Sequence, residues 1–206
     1  MQESTFLYFL TASMLLTLAP GPDNLYLLAK SLSDGAKSGI ILSCGLVSGI
    51  FFHTMLVMFG VAALIQSSAI ALNLLKYFGS AYLLFLAFGA FKSSGKMTLA
   101  QTGVKTSYAS IFRRGLLMNV LNPKVLLFFL AFLPQFIDTS SKMSPTLQIA
   151  IFGLTFALQG LLIFSMIAVC AGKLNKLILK KKNLGRIFAI VEGVVLTLIA
   201  IILIVN

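Results

Sequence analysis

The chain has 206 residues, 59% of them apolar and only 10% charged, with a formal net charge of +11. Ordinary soluble domains hold about 45–50% apolar and about 25% charged residues, so this composition excludes a soluble globular fold and a disordered chain. Cys44 and Cys170 are the only cysteines, which excludes a disulfide-stapled scaffold.

Six apolar stretches follow one another, at about 5–29, 39–65, 71–91, 115–137, 147–171 and 186–205. Each approaches the ~20 residues that cross a ~30 Å hydrocarbon core as a helix. None shows the short alternating pattern of barrel strands. The expected fold is therefore all-α: a polytopic membrane protein with six transmembrane helices in a single domain. The first stretch carries no basic residue before Lys30 and is too long for a cleaved leader, so it is expected to remain as helix one.

Helix one is broken by Pro20-Gly21-Pro22-Asp23-Asn24, and helix four by Asn122-Pro123-Lys124. Three helices per half make the second half run inverted. The expected arrangement is thus two inverted three-helix repeats, at about 1–92 and 114–206, joined by a loop at about 93–113. Pro or Gly breaks at matching places of two halves point to a transporter's binding site. A proline removes one donor and frees the carbonyl four residues earlier. Here those are Leu16, Leu18 and Asn119, and lipid cannot satisfy them. Pro22 and Pro123 suit the first position of a new half-helix, with Asn122 as N-cap. Such an N-terminus presents free N–H groups that suit a carboxylate.

Asp23 lies roughly 9 Å from the end of helix one, and Lys124 roughly 15 Å into helix four, by helical rise. An unpaired charge at that depth costs at least about 2.5–3.5 kcal/mol, so mutual pairing is expected. The pair is either a static tie between helices or a device that opens to hold a zwitterion or pass a proton. Glu192 in helix six is a second acid at a similar level, available for proton coupling or for pairing with a loop lysine. His53 stands alone on helix two and reads as a packing histidine. Asn24, Asn119 and Asn122 can line a polar cavity. Gly35 with Gly39, and Gly45 with Gly49, form small-residue faces for close packing within the chain or in a homodimer.

Thirteen of the sixteen Lys and Arg fall in loops one, three and five, including Lys96, Lys105, Lys176 and the run Lys180, Lys181, Lys182. Positive residues mark the cytoplasmic side, so both termini are expected outside. The basic excess then needs no nucleic-acid partner. No metal-ligand cluster, catalytic motif or phosphate loop occurs in the sequence. Neither enzyme activity nor a cofactor is expected.

Several segments resemble the LysE/RhtB family of bacterial amino-acid exporters. They are LAPGPDNLYLLAKSLSDGAKSGI in helix one, CGLVSGIFFH in helix two, LLKYFGSAYLLFLAFGAFK in helix three and FRRGLLMNVLNPKVLLFFLAFLPQF in helix four. The resemblance covers about residues 5–137 and extends more weakly over the rest. Glu192 departs from the pattern, standing where a small residue is expected before Gly193, and Ile199 replaces a frequent glycine. The resemblance implies a multi-pass protein of the bacterial inner membrane that exports amino acids or close derivatives, driven by the proton-motive force. Pro-Gly-Pro-Asp is similar to the homoserine, threonine and neutral amino-acid branch. The site residues it implies are Pro20, Gly21, Pro22, Asp23, Asn122, Pro123 and Lys124. A membrane scaffold or sensor with a static Asp23–Lys124 pair, and an inorganic-ion exporter, are the alternatives. Asp23 and Glu192 alone make a poor cation cage.

Overall fold

A computed structural model describes residues 3–61, 69–93, 106–173 and 184–205. Lys96, Lys105, Lys176, Lys180, Lys181 and Lys182 lie outside the described residues. The elements are α1 (Glu3–Leu18), α2 (Pro22–Asp34), α3 (Ala36–Leu56), α4 (Ala69–Lys92), α5 (Tyr108–Val120), α6 (Pro123–Leu127), α7 (Pro145–Lys173) and α8 (Leu184–Val205). No strand occurs among the described residues. Four helices are long and apolar enough to cross a membrane, and six spans result if each bent pair counts as one. The bent pairs are α1 with α2, at 58°, and α5 with α6 and its continuation, at 48°.

The breaks fall where the prolines demand. Pro22 and Pro123 each open a new helix, after Gly21 and Asn122 as N-caps. The first span is longer than expected, running to Asp34. Lys30 is therefore not a loop residue. It lies buried in α2, its Nζ 2.7 Å from Asp34 Oδ2 and 3.3 Å from Thr106 Oγ1. Gly35 joins α2 to α3 at φ +86°, a conformation open to glycine at low cost. Beyond α6 the chain widens into π turns over Phe128–Phe132 and tightens into a 3-10 turn over Leu133–Phe136. A π turn also follows α3, over Val57–Val61.

α3 is the central helix. It packs along α5 on one side and α7 on the other, and α7 in turn covers α1 and α2. α4 and α8 pair with each other at the margin. The glycine faces pack largely inside the chain. A Cβ on Gly45 would run into the Phe112 carbonyl of α5, and one on Gly49 would lie 2.6 Å from Asn119 Oδ1. A Cβ on Gly39 would strike Ser31 and Ala168. Gly39, Gly45 and Gly49 thus pack within the chain, while a Cβ on Gly35 would meet nothing within 4 Å.

A large group of phenylalanines interlocks internally. Phe9 of α1, Phe128, Phe132 and Phe136 after α6, and Phe152 and Phe156 of α7 stack in a network with centroid spacings from 4.5 to 6.0 Å. Such pairs add about 0.5–1.5 kcal/mol each beyond area burial.

Inserting a large side chain between α3 and α5 should overpack the bundle, at a typical cost of about 1–3 kcal/mol. Gly45→Leu is expected to lower the melting temperature of the purified protein by several degrees. An unchanged melting curve would contradict the close α3–α5 contact.

Candidate functional site

The two breaks meet. The carbonyls stripped of helical partners at each break are the local problem, and side chains from the other elements answer it. Lys124 Nζ donates to the Ala19 carbonyl at 2.9 Å, across from the second broken helix to the first. Asn122 Nδ2 donates to Asp23 Oδ2 at 2.7 Å, while its Oδ1 caps the Lys124 backbone N–H at 3.0 Å. Asn24 Nδ2 reaches back over the first break to the Thr17 and Ala19 carbonyls, at 2.8 and 3.1 Å. His53 Nε2 donates to the Asn119 carbonyl at 3.0 Å, which is the carbonyl that Pro123 frees.

Asp23 and Lys124 do not form the direct ion pair expected of them. No oxygen–nitrogen approach within 4 Å joins them, although such a pair does join Lys30 to Asp34. Each charge is instead held by neutral dipoles. Asp23 is bound by the Asn122 amide, and Lys124 by a backbone carbonyl. Asp23, Lys124, Asn119 and Asn122 are all less than a tenth exposed. Glu192 of α8 approaches Lys124 from the other side. Its Oε1 and Lys124 Nζ each lie 3.0 Å from where a Cβ on Gly21 would stand. A Cβ on Gly21 would crowd this cation and this carboxylate where they converge over its backbone. Pro20 lies in the break itself.

Between the breaks lies one small cavity of about 20 Å³, enough for a single water. Its polar wall is Thr17, Asp23, Asn24, Asn119, Asn122 and Lys124; its apolar wall is Leu16, Ile50, Val125, Phe156 and Phe164. Five residues anticipated from sequence thus share a single wall. Three buried acceptors near it, His53 Nδ1, Asn119 Oδ1 and Gln159 Oε1, have no hydrogen-bond partner among the described residues.

Sequence reasoning missed Gln159 and underrated His53. Gln159 Nε2 donates to Thr17 Oγ1 at 2.9 Å, so α7 serves the first break as His53 of α3 serves the second. A lone amide in an apolar span was the available signal. The apolar wall carried no signal, because its residues do not differ from ordinary core. No group of three metal-binding side chains occurs among the described residues.

Asn122 should prove doubly sensitive. Loss of an N-cap costs about 0.5–2 kcal/mol, and stripping a donor from a buried carboxylate adds to it. Asn122→Ala is expected to destabilise more than Asn122→Ser, which keeps a capping oxygen; equal unfolding midpoints would show that the cap contributes nothing.

The chain matches the LysE type translocator family over residues 14–206. It is 31% identical over 172 residues to an uncharacterized membrane protein of Vibrio cholerae, covering 83% of each chain. It is 33% identical over 137 residues to the leucine efflux protein of Salmonella choleraesuis, covering 65% of this chain and 63% of that one. The leucine efflux protein of Salmonella typhimurium matches equally. No solved structure matches the chain.

Proposed function

The chain belongs to the LysE type translocator family, and on that premise we propose that it is a secondary exporter of neutral amino acids or close derivatives. The observation that carries this reading is the meeting of both broken helices around one enclosed, two-faced cavity. Lys124 and the N–H groups opening α2 offer an anion site, Asp23 offers a cation site, and together they suit the two charged ends of an α-amino acid. The apolar lining suits an aliphatic side chain once the two breaks part, since the cavity as it stands has room for one water. The similarity to leucine efflux proteins supports the same class of cargo.

Asp23 and Glu192 flank a single lysine, so the charged cluster carries one more carboxylate than cation. A proton or the substrate ammonium balances it, and competition between the two for these carboxylates is the coupling we assign. The proton-motive force then drives export. The six spans form two inverted repeats, and alternating access rocks one against the other. Three features support that arrangement: the matching breaks, the pairing of α3 with α7 and of α4 with α8, and the matched roles of His53 and Gln159. The basic residues gathered at and beside the odd-numbered loops orient the protein in the bacterial inner membrane with both termini outside.

Asp23→Asn keeps the shape of the side chain and removes its charge. It is expected to abolish pH-gradient-driven leucine efflux from proteoliposomes while the protein still inserts and elutes as folded material; efflux at the parental rate would sink the coupling role. The orientation has its own check. With Cys44 and Cys170 replaced, a cysteine at Lys142 should react with an impermeant maleimide on intact cells, and one at Lys92 only after permeabilisation. The opposite pattern would reverse the assignment.

A further inference from the structure

Gly160 of α7 stands apart from the other buried glycines described. Gly39, Gly45, Gly49, Gly79, Gly115, Gly153 and Gly193 all lie where a Cβ would collide with a neighbouring helix. Each is explained by close packing. Gly160 is buried as well, yet a Cβ there would meet only Ile50 Cδ1, at an ordinary 3.5 Å. Packing does not demand the glycine. Its missing side chain keeps room for something else.

The position says what that is. Phe156, Gly160 and Phe164 are spaced four residues apart and share one face of α7. Both phenylalanines line the cavity between the broken helices, and so does Ile50, the one neighbour of the absent Cβ. The bare stretch of α7 therefore lies between two rings that line the same cavity as Asp23 and Lys124. Ile50 is β-branched and stiff at χ1. Phe156 and Phe164 have unbranched Cβ atoms and can swing. Phe156 also stacks on Phe128 and Phe129, at 5.4 and 5.2 Å. Its movement is thus felt by the segment that follows Lys124.

We propose that Gly160 sets the size limit of the cargo: the side chain of the transported amino acid lies over Gly160, between Phe156 and Phe164 and against Ile50. This rests on the export reading above. No charged group joins that wall, so the class admitted is the neutral aliphatic amino acids, and each carbon added at position 160 removes one carbon from the largest cargo accepted.

The test is counterflow of labelled alanine, threonine, valine, leucine and phenylalanine in proteoliposomes holding the full chain. Gly160→Ala fits the space and is the better helix former, so folding is preserved; the melting curve verifies this. The leucine-to-alanine rate ratio should fall about tenfold, the discrimination that one methylene group gives in an apolar pocket. Gly160→Val should extend the exclusion to valine. Pairing Gly160→Ala with Ile50→Val, which removes the Cδ1 that the new methyl would touch, should restore the leucine ratio. An unchanged size profile in Gly160→Ala and Gly160→Val, with transport retained, would overturn the proposal and leave the export reading standing. Absence of counterflow for every amino acid in the unaltered protein would overturn both.

Discussion

The carbonyl of Ala19 is the point on which the rest of the centre turns. The break between α1 and α2 leaves it without a helical donor, in surroundings where lipid can supply none. Lys124, from the other broken span, provides the donor. That one bond fixes how deep the second break sits relative to the first. It brings Asn122 within reach of Asp23, and it holds the ammonium where Glu192 can approach over Gly21. Neither broken helix would be satisfied without the other.

This explains why so many polar groups tolerate burial here. A charge inside a span costs several kcal/mol unless it is held, and an unmade bond on a buried polar atom costs about 1–3 kcal/mol. Asp23 and Lys124 each find neutral partners rather than one another. A direct pair would lock the two spans together and leave the Ala19 carbonyl to Asn24 alone. Dipolar partners stabilise both charges and keep their outer faces open to a further charged group. The acceptors without partners on His53, Asn119 and Gln159 surround the same place.

Much of this was legible in the sequence. Hydropathy gave the spans, because a helix in lipid must be apolar along about twenty residues. The breaks were legible because proline has no N–H, and Asn122 as N-cap followed from its place before Pro123. Asp23, Asn24, Asn119, Asn122 and Lys124 were legible because polar residues stand out in an apolar background. Their bonding pattern was not. The Asp23–Lys124 pair was inferred from overlapping depths, and depth says nothing of direction around a helix axis. Lys30 was counted as a loop charge because its partner, Asp34, closes a helix turn that hydropathy does not extend. Gly45 and Gly49 read equally well as contacts between copies or within one chain, and only the position of α5 decides for the latter. Phe156, Phe164 and Ile50 were invisible, being apolar residues in apolar helices.

The first break has one more consequence. Among the described residues no backbone hydrogen bond runs from α1 to α2; the ladder stops at Ala19 N–H to Leu15 and resumes at Leu25 N–H to Gly21. What ties the two halves is the amide of Asn24, which grips the Thr17 and Ala19 carbonyls. Mechanically this is a pinned joint. Either half can swivel about a side chain that follows by rotating its own torsions, and no peptide bond need trade partners. A continuous helix would have to melt a turn to bend by 58°; here the bend is already built, and changing its angle disturbs two hydrogen bonds.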